Sequence, residues 1–126
     1  MINRFNLAEE KTSQHYAIGF KELWEIPSEQ HQQGLVVHGL GWPLSNEATG
    51  GSYLYHLEGN QVAVGLIVDL NYKNPHLSPF DEFQRFKHHP LIEQYLKMGS
   101  VLAMARERSP RAAFIRFPRS SLLVAC

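Results

Sequence analysis

The stretch GGSYLYHLEGNQVAVGLIVDL, residues 50–70, decides the fold of this chain. Residues 52–57 and 61–70 are two apolar runs, separated by Glu58-Gly59-Asn60. A short break holding a glycine and an asparagine signals a chain reversal, because both tolerate the left-handed backbone of a tight hairpin. The two runs therefore read as an antiparallel β-hairpin. The second run is almost wholly apolar, which predicts a strand covered on both faces.

The hairpin opens on the pair Gly50-Gly51, followed by Tyr53, Tyr55 and His56, and a Trp42-Pro43 step stands upstream. Glycine has no Cβ, so another molecule can approach its main chain closely. Aromatic side chains beside it offer a flat apolar wall with polar tips. Together they suit a planar ring stacked against backbone. The same residues also suit a tight turn entering a strand, and alone they leave both readings open. Tyr53 and Tyr55 are two apart, so as strand residues they share a face.

Farther out, residues 16–26 read as a strand with Tyr16, Ile18 and Phe20 on one side. Pro27-Ser28 ends it, a polar loop runs through Gln33, and residues 34–40 form a short apolar strand. Downstream, Asn74-Pro75 closes the sheet segment. Ser78-Pro79 opens a helix, with serine as cap and proline at the first helical position. Asp81 and Glu82 suit the dipole of that first turn. Phe80, Phe83 and Phe86, three apart, predict a buried stripe. Pro90 starts a second helix over residues 91–97, stopped by Gly99. The fold class is α+β: an antiparallel sheet with helices packed on one face.

Other constellations carry less chemistry. Adjacent helical side chains such as His88-His89 diverge by about 100°, so they do not form a ligand pair. Exposure at a helix end, where a charged imidazole is favourable, suits them better. The carboxylates Asp81-Glu82 diverge likewise. Ser52 lacks a Gly-x-Ser-x-Gly frame. No Gly-x-Gly-x-x-Gly follows a strand, and the single cysteine, Cys126, cannot hold an iron–sulfur cluster alone. No catalytic residue, cofactor-binding motif or metal-ligand set is assigned. At 126 residues with formal net charge 0, the chain is one small domain or a piece of a larger protein, without the electrostatic footprint of a nucleic-acid binder. No run approaches the roughly 20 apolar residues of a membrane-spanning helix, and the opening MINRFNLAEEK shows no targeting pattern.

GWPL at residues 41–44, TGGSYLYHL at 49–57 and LNYKNPHLSPFDEFQRFKHHP at 70–90 together resemble the middle of the electron transfer flavoprotein-ubiquinone oxidoreductases. FNL at 5–7 and IGFKELWEI at 18–26 extend the resemblance from about Phe5 to about Ala103. The chain departs from the family pattern at His38-Gly39, where the family has His-Thr. It departs again at Val68-Asp69-Leu70, where the family has Val-Gly-Leu-Asp. The resemblance implies a piece of a larger FAD-dependent oxidoreductase. That enzyme passes electrons from reduced electron transfer flavoprotein through FAD and a 4Fe-4S cluster to ubiquinone. It sits peripherally on the bacterial or mitochondrial inner membrane.

Residues 1–103 would be a fragment of its ubiquinone-binding domain. Gly50 and Gly51 match the family's ubiquinone-contacting pair, and Tyr53 and Tyr55 are weaker candidates for the ring wall. The chain is expected to hold neither FAD nor cluster and to be inactive alone. Its expected partners, as part of the enzyme, are ubiquinone, electron transfer flavoprotein and the membrane surface. Two rival readings are a free-standing module for an apolar ligand or partner, and the non-functional product of a broken gene.

Residues 104–126 depart from the family altogether, reading MARERSPRAAFIRFPR over 104–119 where the family continues in the manner of YGARAIxEGGxxSLPK. With synonymous codons chosen to fit, a one-base shift after Met104 turns residues 105–108 into Gly-Ala-Arg-Ala. The same shift turns residues 109–119 into Ile-Thr-Glu-Gly-Gly-Leu-His-Ser-Leu-Pro-Lys. The tail therefore reads as an out-of-frame, poorly structured segment with few long-range contacts after Ala103. Its alternative is a basic segment lying on anionic lipid. Sequencing the gene tests this: shifting the frame by one base near the Ala103–Met104 codons should reopen the family pattern. DNA with no such continuation would rule the frameshift out.

Overall fold

The computed structural model describes residues 15–46 and 48–110. Strands β1 (Tyr16–Glu25), β2 (Val36–Leu40), β3 (Gly50–His56) and β4 (Gln61–Asp69) precede helices α1 (Pro79–Lys87) and α2 (Pro90–Leu96), and β5 (Ser100–Pro110) follows. The sheet order is β2-β3-β4-β1-β5, every neighbouring pair antiparallel. The expected α+β architecture is thus observed, with four of its strands legible in advance.

The β3–β4 hairpin turns where the sequence signals it. Gly59 (φ 66°) and Asn60 (φ 61°) both take left-handed backbone. Leu57 N–H donates to Gln61 O at 2.8 Å and closes the loop. On β4, Val62, Val64, Leu66 and Val68 are buried to 0–1% exposure. Each such side chain taken out of water stabilises the fold by about 1.5–3 kcal/mol. They meet Phe83 and Phe86 of α1 and Ile92 and Leu96 of α2 in one core. Ala63 and Ile67, pointing the other way, are half-buried.

Helix α1 starts as its residues dictate: Ser78 Oγ accepts from Asp81 N–H at 3.4 Å, and Pro79 takes the first turn. The phenylalanine stripe needs correction. Phe83 and Phe86 are buried, but Phe80 is 41% exposed and meets Phe20 edge-on at 5.7 Å. Three residues fall about 60° short of a full turn, so Phe80 and Phe86 lie roughly 120° apart and one flank reaches solvent. The histidines also separate. His88 is exposed at the C-cap of α1, while His89 caps the start of α2, its Nδ1 accepting from Leu91 N–H at 3.3 Å.

The strand β5 was not foreseen. It pairs with β1 as far as Tyr16↔Pro110, so residues 104–110 make long-range pairings where few were expected after Ala103. A ladder needs only main-chain groups, which every non-proline residue supplies. Residues 101–106 carry exposed side chains. Residues 111–126 lie outside the described residues.

One charged pair is built into the core. Glu22 is 5% exposed. Lys87 Nζ lies 3.0 and 2.9 Å from its two carboxylate oxygens, and Trp24 Nε1–H donates to it at 2.8 Å. Lys87 Nζ also sits 5.1 Å from the centre of the Phe83 ring. The pair ties the end of α1 to β1. Replacing Lys87 by Met strands a buried carboxylate, which should destabilise the chain by about 3–5 kcal/mol. Adding Glu22→Gln should recover most of that loss; urea unfolding of the single and double variants measures both.

Candidate functional site

The glycine pair opens β3, and its setting follows from the loop before it. Gly41 (φ 84°) turns the chain out of β2, and Leu44 N–H closes back on Gly41 O at 2.7 Å. The Trp42–Pro43 peptide is cis. This folding carries Leu44 and Ala48 inward, where they are 8% and 7% exposed. Asp69 N–H then donates to Thr49 O at 2.8 Å, fastening the loop's end to β4.

The two glycines are not equivalent. A Cβ on Gly50 would collide with the carbonyl oxygen of Ile67 and with Leu44 Cδ1. A Cβ on Gly51 would meet Gly39 O at 3.5 Å and Leu40 Cδ2 at 3.6 Å, which is ordinary contact. Packing among the described residues accounts for Gly50 and leaves Gly51 unexplained. Their pairing differs too. Gly51 is flanked by Leu40 of β2 and Ile67 of β4, whereas Gly50 has Val68 of β4 as partner and none on β2.

Tyr53 and Tyr55 share the face of Gly51 and stack at 4.8 Å, 25° between planes. Tyr53 lies across Gly65, its cross-strand partner, with its ring and hydroxyl where a Cβ of Gly65 would stand. Burial pushes its hydroxyl up to about 12, helped by the neighbouring Tyr55. Burial also raises the Tyr55 hydroxyl, which lies 3.3 Å from His38 Nε2. Both tyrosines hold a hydrogen at neutral pH.

A groove of about 540 Å³ runs beside this region, with Trp42, Pro43 and Leu44 on one wall and His76, Leu77 and Arg85 on the other. Neither glycine and neither tyrosine lines it. Leu44 connects the two places, because it lines the groove and abuts Gly50. Trp42 is the groove's aromatic residue, 44% exposed. The Arg85 guanidinium lies 5.6 Å from its ring centre and His89 meets it edge-on at 4.8 Å. In the sequence Trp42-Pro43 is a step upstream of the glycine pair with no ligand assigned to it. The signal was there in Gly41-Trp42-Pro43: a turn residue that leaves a large ring on the surface. Among the described residues, no group of three or more histidine, cysteine, aspartate or glutamate side chains is placed to hold a metal. No helix among them is long and apolar enough to cross a membrane.

Residues 16–107 match the family model described as ETF-QO, ubiquinone-binding. The chain is 62% identical over 103 residues to the electron transfer flavoprotein-ubiquinone oxidoreductase of Pseudomonas aeruginosa, covering 82% of this chain and 19% of that protein. It is 48% identical over 127 residues to a probable electron transfer flavoprotein-ubiquinone oxidoreductase of Acinetobacter baylyi, covering 100% and 22%. Against the mitochondrial protein of that name from Homo sapiens it is 42% identical over 132 residues, covering 100% and 21%. The chain thus spans about a fifth of the length of these relatives.

The contrast between the glycines is measurable without any ligand. Gly50→Ala should destabilise the fold by about 1–3 kcal/mol, the cost of forcing extra volume against backbone. Gly51→Ala should stay within about 0.5 kcal/mol of the parent chain. Equal losses in urea unfolding would show that the two sites are packed alike.

Proposed function

Since the chain belongs to the electron transfer flavoprotein-ubiquinone oxidoreductase, ubiquinone-binding, family, we propose that it supplies the ubiquinone site of such an oxidoreductase, with Gly50 and Gly51 against the quinone. The observation that carries this is Gly51. It belongs to the matched glycine pair, yet nothing in its packing among the described residues requires it to lack a side chain. A planar head group lying over Gly51 would supply that reason. Gly50, unpaired toward β2, would offer its main-chain edge to a quinone oxygen. Tyr53 and Tyr55, on the same face, would border the ring. The groove beneath Trp42 and Leu77 would accommodate part of the apolar tail.

In the whole enzyme, FAD and a 4Fe-4S cluster would supply the electrons. The described residues fit neither group. They offer no clustered ligands for iron and no glycine-rich strand-to-helix turn for a dinucleotide. Both groups would lie elsewhere in the longer polypeptide. This chain's share is to hold and orient the acceptor and to exclude water around it. Electron transfer flavoprotein and the membrane surface would be partners of the whole enzyme. The segment from Met104 is proposed to be read out of frame. What supports that reading is the family pattern recovered by a one-base shift over residues 105–119.

Titrating a short-tailed ubiquinone into the chain, with tryptophan fluorescence and amide chemical shifts as readouts, tests the assignment. Saturable binding is expected, with shifts centred on Gly50, Gly51 and Trp42. Gly51→Val should weaken it by about tenfold or more, a loss of roughly 1.4 kcal/mol, while the unfolding midpoint holds. Unchanged quinone affinity in a folded Gly51→Val chain would remove this glycine from the site.

A further inference from the structure

Away from the proposed quinone site, three buried side-chain atoms among the described residues have no hydrogen-bond partner: Gln30 Oε1, His31 Nε2 and His56 Nε2. Two of their residues meet where the loop between β1 and β2 crosses the end of β3. His56 is 3% exposed. Its ring lies 5.2 Å from that of His31, and Tyr95 of α2 meets it edge-on at 4.9 Å. Gln32 N–H donates to His56 Nδ1 at 3.0 Å. Two main-chain bonds run beside that contact, His56 N–H to Leu35 O at 2.9 Å and Gly34 N–H to His56 O at 3.1 Å.

The Gln32 bond fixes the tautomer. An Nδ1 that accepts a hydrogen bond carries no proton, so neutral His56 holds its proton on Nε2. That arrangement rules out a metal ligand at Nε2, since a ligating nitrogen must be bare. A second proton has one place to go, Nδ1, and Gln32 N–H already points there. Two N–H groups cannot face each other across a hydrogen-bond distance, so protonation must break the contact. It also places a cation beside His31 in a site shielded from water.

We propose that His56 is a proton-sensitive latch on the loop between β1 and β2: neutral, it holds the loop through Gln32, and protonated, it lets that contact go. The titratable groups facing it are His31 from the loop and Tyr95 from α2, while β4 presents apolar Val62 as its cross-strand partner. Burial first, and His31 second, depress the proton affinity of His56 below its ordinary value of 6.5. The unfolded chain therefore binds the proton more readily. The latch contributes fully above pH 6.5, and its stability is lost as the pH falls through the folded value. The loop leads into β2, an edge strand joined to the sheet through β3 alone. Release at Gln32 would loosen the entry of the strand that carries Leu40 to Gly51.

Amide exchange and histidine titration by NMR on the 126-residue chain test the latch. The His56 ring should titrate below 6.5. The protection factor of the Gln32 amide should fall by about tenfold over the same interval, as one hydrogen bond is lost. In His56→Phe, Gln32 should lack that protection at every pH. If that variant does not fold, His31→Gln serves instead: it should raise the His56 titration and move the Gln32 transition with it. Gln32 protection that persists while His56 becomes protonated would overturn the proposal, as would a His56 ring that titrates at or above 6.5.

Discussion

The register of β3 against β4 is the constraint on which the rest of the structure depends. Ser52↔Leu66, Leu54↔Val64 and His56↔Val62 turn one row of each strand toward the helices. A slip of one residue would turn Val62, Val64, Leu66 and Val68 away from Phe83 and bring Ala63, Gly65 and Ile67 beneath it instead. The same slip would lift Tyr53 off Gly65. The register then passes to β1, where Phe20↔Leu66 and Glu22↔Val64 follow. Glu22 thereby falls in the buried row under α1, where Lys87 reaches it. The turn at Gly59 and Asn60 sets that register locally, and the apolar row of β4 holds it.

Where the local signal was strong, the sequence was legible. The hairpin, the Ser78-Pro79 helix start and the burial of Phe83 and Phe86 followed from turn chemistry, capping and period. Glu22 breaks the apolar pattern of the first strand: a carboxylate occupies the core row, and its partner is Lys87, distant in sequence. No window of neighbours shows such a pair. His89 was misplaced for a related reason. Its role as cap of α2 depends on where α1 stops, and helix ends are the least determined feature of a periodic pattern. The strand β5 was missed because its pairing is made by main chain, which leaves no compositional mark.

The structure divides the duties of the residues that the sequence singles out. Paired glycines suggest one shared reason for lacking side chains. The contacts give two. Gly50 is bound by the Ile67 carbonyl and Leu44, so any family sharing this loop would need it for packing alone. Gly51 carries the argument for a ligand, because a Cβ there would make only ordinary contacts with Gly39 and Leu40. The tyrosines are likewise distinct. Tyr53 is committed to covering Gly65, and Tyr55 is tied to His38 on β2. The ring wall that the sequence suggested is therefore held in place by neighbouring strands and is not an adaptable surface. Such a wall suits a site that must position a planar acceptor, since a preset geometry leaves less ordering to be done on binding.

The fifth strand bears on the out-of-frame reading of the tail. A strand at the edge of a sheet presents a row of main-chain donors and acceptors that almost any extended segment can satisfy. β1 offers such a row, and residues 100–110 fill it with a register shift at Leu23/Trp24. Their side chains from 101 to 106 face solvent, including Val101, Leu102 and Met104 at 48, 45 and 48% exposure. An in-frame family strand would have reason to bury such groups against neighbouring parts of a larger protein, while an out-of-frame one would pair and leave them bare. Pairing alone does not separate these cases, since backbone geometry is common to both. On β4 side-chain period and burial agree at every second residue. On β5, residues 101–106 are exposed on both faces, Val101 and Leu102 before the proposed shift as much as Met104 after it, so the edge of β1 accommodates this strand on either reading.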